Sequence, residues 1–210
     1  METIVFPNNK EKAQQMEAYM KHHFRFAGVP KPERALLQKA LLKESQKIPI
    51  SDLLLLVKDY YMQEEREYQY LAIDLVQKNV KRLSFDNLVW LLELVLQKEW
   101  WDSIDSWQKV YSTWGKLHQE VEAVFKLFEG QEDFWLRRIA ITLQLGFKEQ
   151  TDVALLERAI DADRSTKEFF IQKAIGWSLR DYSKTNPLWV KEQLTKELSK
   201  LATREASKYL

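Results

Sequence analysis

The chain has no cysteine among its 210 residues. A disulfide framework and a cysteine-based metal site are therefore excluded. Glycine and proline are also scarce, with five of each. So few turn residues argue for long helices joined by short connections. Only three histidines occur, His22, His23 and His118, and no two of them stand four apart as helical metal ligands would. Apolar runs are short. The longest, from Ile50 to Val57, is interrupted at Ser51 and Asp52, far below a membrane span. Met1–Lys10 lacks the basic-then-apolar pattern of a signal peptide. Charge of one sign is lacking too. Lysine plus arginine number 32 against 31 acids, for a net charge of +1. A dedicated nucleic-acid binder is usually more basic, although one basic face can sit opposite an acidic one.

What is present is apolar residues at helical spacing, 45% hydrophobic in all. Met16, Tyr19, Met20 and Phe24 fall near one face of a helix predicted over Glu11–Phe26. Gly28-Val29-Pro30 ends it, and Pro32 opens a helix running to about Ser45. Ser51-Asp52 is read as the cap of a helix through Tyr61. Further helices are expected over Glu64–Lys78, from Ser84 to before Glu99, and over Trp100–Thr113, Leu117–Phe128, Glu132–Leu145, Asp152–Ala159, Lys167–Asp181 and Pro187–Leu201, with a short end from Arg204. No stretch alternates with period two between hairpin turns. The class is all-α, and the whole of residues 1–210 reads as one domain.

A weak repeat runs through the chain. Leu136–Ile141 and Ile171–Gly176 occupy similar places 35 positions apart, and Tyr68–Ile73 lies 68 before the first. A period of 34–35 residues is solenoid spacing. It predicts stacked antiparallel helix pairs with an extended concave surface.

The residues that could carry chemistry centre on Trp100-Trp101-Asp102-Ser103-Ile104-Asp105-Ser106-Trp107. On a helix Trp101 and Asp105 share a face, and Asp102 points about 100° away from Trp101. Aromatics at helical spacing are more often core than site. Against that, Trp100 and Trp101 cannot both face one core, and a lone carboxylate on a core face is costly. An indole beside an acid suits a cleft. Arg137-Arg138 interrupts an apolar helix and stays open between a structural ion pair and a guanidinium that holds phosphate. Gly176, beside Trp177, stays open between a tight helix crossing and close approach of a ligand. No phosphate loop, nucleophile elbow or zinc-deaminase signature occurs, so no cofactor and no metal are expected.

At these residues the sequence resembles the AlkD-like DNA alkylation repair family, the HEAT-like-repeat DNA glycosylases. The resemblance covers nearly the whole chain. It is carried by Tyr19-Met20-Lys21 with His23-Phe24, by Pro32-Glu33-Arg34 and Glu65-Arg66-Glu67, and by Trp100–Ser106. Trp135-Leu136 with Arg138 and, above all, Lys167–Pro187 complete it. It implies a curved superhelical stack of antiparallel HEAT-like helix pairs. It also implies a lesion cleft lined by Trp101, Asp105, Arg138 and Trp177, with Tyr19 near its edge. The implied reaction is hydrolysis of the N-glycosidic bond of a cationic N3- or N7-alkylpurine, the first step of base excision repair. Asp105, Trp101 and Trp177 would be its catalytic residues. Asp105 would stabilise oxocarbenium charge, and the two indoles would face the cationic nucleotide. Arg138 and Tyr19 would contact DNA. The implied partner is double-stranded DNA with alkylated bases, acted on by a cytoplasmic monomer without a membrane.

Two features depart from the family pattern. Only Met1–Asn9, with Pro7, precedes the helix that carries Tyr19, where family members have a further helix. The chain ends at Leu210 with near-neutral charge. The expectation is weak, salt-sensitive DNA binding. Two other classes remain open: a non-catalytic HEAT-like member acting as a scaffold, and a solenoid that binds a protein partner.

Overall fold

The computed structural model describes residues 3–210, and no strand occurs among them. The all-α class expected from the sequence is what the structure shows. Thirteen α-helices occur in this range, in two compact units. The first unit ends at Gln97 and the second runs Lys98–Leu210.

The first unit holds α1 (Lys10–Tyr19), α2 (Lys31–Leu37), α3 (Lys39–Glu44), α4 (Ile50–Tyr61), α5 (Arg66–Asn79) and α6 (Phe85–Val95). Met1 and Glu2 of the leading Met1–Asn9 stretch lie outside the described residues. Residues 3–9 carry no helix. They are pinned instead by backbone N–H donors: Ile4 to the Tyr60 hydroxyl at 3.0 Å and Phe6 to the Tyr68 hydroxyl at 3.3 Å. The helix expected to reach Phe26 stops at Tyr19. Lys21 and His22 both adopt the left-handed region, at φ 57° and 58°, which ends the helix without a glycine. The chain that follows is held by Glu67. Its fully buried carboxylate accepts backbone N–H bonds from Ala27, Gly28 and Val29 at 2.9–3.0 Å. Gly28 sits at φ +89°, where an added Cβ would lie 2.2 Å from the Asn9 carbonyl oxygen, so only glycine fits.

Other boundaries differ for local reasons. The helix predicted from Pro32 to Ser45 is two, separated at Gln38. Pro49, not Ser51-Asp52, stands before α4, and Ser51 lies inside its first turn. Ser84 does cap α6, through a reciprocal box with Asn87. Leu53, Val57, Leu71, Leu75, Leu88 and Leu91 are excluded from solvent, each contributing roughly 1.5–3 kcal/mol of burial.

The second unit holds α7 (Trp101–His118), α8 (Val121–Lys126), α9 (Phe134–Thr142), α10 (Val153–Asp163), α11 (Phe169–Tyr182), α12 (Pro187–Gln193) and α13 (Lys200–Ala206). The break expected after Thr113 is absent. Helix α7 runs on to His118 and stops at Gln119, a left-handed residue at φ 58°. The last predicted helix, Pro187–Leu201, is two, α12 and the start of α13.

The repeat has a physical trace in side-chain bonds that join one helix layer to the next. In the first unit Gln38 bonds Asp74, Asn79 bonds Ser45 and Tyr61 bonds the Gln97 carbonyl, at separations of 36, 34 and 36 residues. In the second, Gln108 bonds the Thr142 carbonyl, Arg138 bonds Asp105 and Ser178 bonds the Ile141 carbonyl, at 34, 33 and 37. Buried polar groups must be satisfied. Here one group per layer is satisfied by the layer about one repeat away.

Candidate functional site

Helix α7 is the spine of the candidate site. Its N-terminal side is anchored by aromatics. Trp100 lies edge-on to Trp135 at 5.8 Å and to Phe170 at 5.3 Å, which joins the starts of α7, α9 and α11. Trp107 is wholly buried. Trp100 and Trp107 thus belong to the packing. Trp101, on the first turn, is half-buried.

One turn after Trp101 stands Asp105. Arg138, on α9, grips its carboxylate with two bonds: Nε to Oδ1 at 2.9 Å and Nη2 to Oδ2 at 3.1 Å. Arg138 Nη1 donates a third bond to the Phe170 carbonyl at 2.6 Å. The Arg138 side chain is 6% exposed and the Asp105 side chain 25%. The guanidinium is therefore enclosed and committed, while the carboxylate reaches solvent. Burial pushes the Asp105 carboxyl above its ordinary range. The hydrogen bonds and charge of Arg138 oppose that, and Asp102 adds a smaller upward push. Arg137 makes a separate pair with Asp163 at 3.1 Å. Of the two readings open for Arg137-Arg138, the ion pair is what the geometry realises for both. Asp105 and the Phe170 carbonyl between them occupy Nε, Nη1 and Nη2 of Arg138.

Asp105 and Trp177 line one cavity of about 740 Å³. Its α7 wall continues along one face through Lys109, Ser112 and Lys116. The opposite wall is Leu145, Gly146 and Phe147, just after α9, and Trp177 from α11. Lys116 Nζ lies 5.1 Å from the Phe147 ring centroid. The Gly146 N–H donates to Asp181 at 2.7 Å, which fixes the turn. Leu117, Leu145, Phe147 and Trp177 supply the apolar part of the walls, and Gln108, Ser112 and Thr113 are polar lining beside the carboxylate and the two ammonium groups.

The structure thus brings Asp105, Arg138 and Trp177 together. Trp101 shares α7 with Asp105 and lies outside the lining of the cavity. Tyr19 ends α1 in the first unit and is 68% exposed. Gly176 is explained by packing. A Cβ there would come within 2.5 Å of Glu205 Cβ and 2.9 Å of the Ala202 carbonyl oxygen, so α11 and α13 cross tightly at that point. Close approach of a ligand is not its reason. Lys109, Ser112 and Lys116 were missed by sequence reasoning. They follow Asp105 by four, seven and eleven positions, so the helical period carries the signal.

A second acidic feature lies nearby. Glu99 is raised to about 7, chiefly by burial and then by the charge of Asp133 and a hydrogen bond with it. Asp133 caps α9 by accepting the Trp135 N–H at 2.6 Å. Two carboxyl groups therefore meet where α7 and α9 begin. Among the described residues no group of three or more His, Asp or Glu could hold a metal. No described helix is long and apolar enough to cross a membrane.

Chemically, the cavity offers a negative charge fixed by a guanidinium, an indole and apolar walls. It has no activated hydroxyl or imidazole nucleophile. The Asp105 carboxylate suits a positive group, and Lys109 and Lys116 farther along α7 suit an anion.

The sequence pattern of the DNA alkylation repair enzyme family matches residues 7–210. A solved structure described as a predicted DNA alkylation repair enzyme from Enterococcus faecalis is 54% identical. It aligns over 99% of both chains with a TM-score of 0.98. AlkD2 from Streptococcus mutans shares the fold at 18% identity and a TM-score of 0.70, over 94% of this chain and 99% of that one. A further Streptococcus mutans protein, smu.31, does so at 21% and 0.63, over 84% and 97%. No curated protein matches. With the family pattern spanning nearly the whole chain and a relative this similar, the chain belongs to the DNA alkylation repair enzyme family.

Proposed function

We propose that this protein is a DNA glycosylase that hydrolyses the N-glycosidic bond of cationic N3- or N7-alkylpurines in duplex DNA. The observation that supports the reading most is the Asp105 carboxylate, held in two bonds by Arg138 at the wall of an open cavity that also contains Trp177. A cationic alkylpurine leaves as a neutral base, so the departing group needs no proton. Positive charge then grows on the sugar. In this reading Asp105 stabilises that charge and orients the attacking water. One cleft carboxylate suffices, unlike the pair that most glycoside hydrolases use. Trp177, and Trp101 one turn before Asp105, offer π faces to the cationic nucleotide.

Arg138 acts in this scheme as a positioning residue. Its three bonds keep the carboxylate aimed and ionised against the upward pull of burial. Duplex phosphates are met instead by exposed cations such as Lys109 and Lys116 at the cavity. Tyr19, exposed at the end of α1 in the first unit, is assigned to a DNA contact. The setting we propose is a cytoplasmic monomer acting in base excision repair.

The test is release of 7-methylguanine and 3-methyladenine from methylated duplex DNA, followed by chromatography, with Asp105→Asn as control. Release by the wild type and loss in the variant support the reading. Silence of the wild type, beside a relative that releases base, overturns it. A non-catalytic scaffold is then the better reading, and one observation favours it: the guanidinium of Arg138 is already occupied within the fold.

A further inference from the structure

Helices α2 and α3 carry an apolar face that no described residue of the first unit covers. Leu36 is 74% exposed and Leu37 43%, and Ala40 lies exposed one turn on. Leu36, Ala40 and Leu42 line a groove of about 630 Å³ whose other walls include Lys39, Lys43 and Lys78. Among the described residues no acid lines this groove. The three lysines stand in no ion pair among the described residues, because the acids nearby are used elsewhere: Glu33 with Lys12, Glu44 with Lys47 and Asp74 with Arg34. A second groove of about 510 Å³ runs along the other side of Ala40, between Leu37 and Val5. The small Ala40 side chain is therefore a saddle between two grooves, flanked by Leu36 and Leu37.

We propose that this face docks an acidic amphipathic helix of a protein partner. A ridge of leucines bordered by grooves, with a small residue between, is the relief that an incoming helix packs against. The unpaired lysines select its charge: Glu or Asp must flank its apolar side. A second copy of this chain does not fit, since a two-fold contact would set these lysines against their own copies. A DNA backbone would use the lysines and leave Leu36, Leu37 and Leu42 without a match. A membrane surface favours a protruding face with aromatic anchors, and none of the residues of these grooves is aromatic.

Two labelled helical peptides of about 18 residues, some five turns, test this. They share a leucine and alanine face and differ only in Glu or Lys flanks. Fluorescence anisotropy against the full chain should show the Glu peptide binding about tenfold more tightly. Lys39→Glu with Lys43→Glu should reverse the preference, and Leu36→Asp should weaken the Glu peptide about tenfold. Leu36 and both lysines are exposed, so circular dichroism and the melting temperature should match the wild type. Base release should also be unchanged, since these residues lie outside the catalytic cavity, and this keeps the proposal separable from the assigned activity. No binding of the Glu peptide, equal binding of both peptides, or binding unaffected by the variants overturns the proposal. So does displacement of the peptide by anionic lipid vesicles or by short duplex DNA, which would reassign the face to a membrane or to nucleic acid.

Discussion

If Arg138 serves chiefly to hold Asp105, removing it has a calculable cost. Arg138→Ala deletes two bonds to the carboxylate and one to the Phe170 carbonyl, inside a side-chain environment only 6% exposed. Breaking one partner of a buried pair costs about 3–5 kcal/mol when both charges are fully enclosed. Asp105 keeps 25% of its surface in water, which places the expected loss near the lower end, about 3 kcal/mol. Asp105→Asn keeps an oxygen acceptor for the guanidinium and should cost less, about 1 kcal/mol. The double variant should cost less than the sum, with a coupling energy of roughly 2 kcal/mol. Urea unfolding of the four proteins at one pH measures it. The pH dependence adds a sign. The folded carboxyl of Asp105 is raised, so the native state binds its proton more readily than the unfolded chain. Stability from this group is greatest at low pH and declines as pH rises through the window above the ordinary carboxylate value. Without Arg138 that window extends higher. The deficit of Arg138→Ala should therefore shrink on acidification from pH 7 to pH 5. A coupling energy below about 0.5 kcal/mol, the usual scatter of independent sites, would refute the positioning argument. So would a deficit that grows in acid.

Three further expectations follow from the same geometry. Base release should fall by about 10²–10³ in Asp105→Asn and little in Asp102→Asn, and the acid limb of the wild-type rate profile should lie above the ordinary carboxylate range; equal losses in both variants would contradict a specific cleft carboxylate. Glu99 is raised from 4.5 to about 7, so the fold loses stability as pH rises across that window; allowing for partial exposure, Glu99→Gln should be the more stable protein by about 1 kcal/mol at pH 8, and thermal melts that show no gain would count against the Glu99–Asp133 contact. Gly176→Ala forces a Cβ onto Glu205 and the Ala202 carbonyl and should destabilise by about 1–3 kcal/mol, read as a lower melting temperature; an unchanged melt would mean that α11 and α13 separate easily.

How much of this was legible in the sequence depends on whether the cause was local. Ser84 and Asn87 announce the start of α6 because both partners of the box lie within one turn. The end of α1 was not legible, since Lys21 and His22 take a conformation that usually signals glycine. The bonds that hold Ala27–Val29 come from Glu67, 38–40 residues away. The same division runs through the site. Trp101 and Asp105 could be placed on one face of one helix from spacing alone. The partner of Arg138 could not, because nothing in Leu136–Ile139 names a carboxylate. Yet the repeat was already visible at 34–35 residues, and Arg138 pairs with a residue 33 back. Counting one repeat from Arg138 leads into the turn that contains Asp105. The cavity wall was lost for a related reason. With α7 read as ending near Thr113, Lys116 fell outside the helix and its register with Asp105 went unseen. The helix in fact absorbs Gly115, whose missing side chain lets α7 pass close to Val121 and Val124 of α8, and it stops only at Gln119. The residues that carry α7 past Thr113 to His118 are what bring Lys116 onto the face of Asp105.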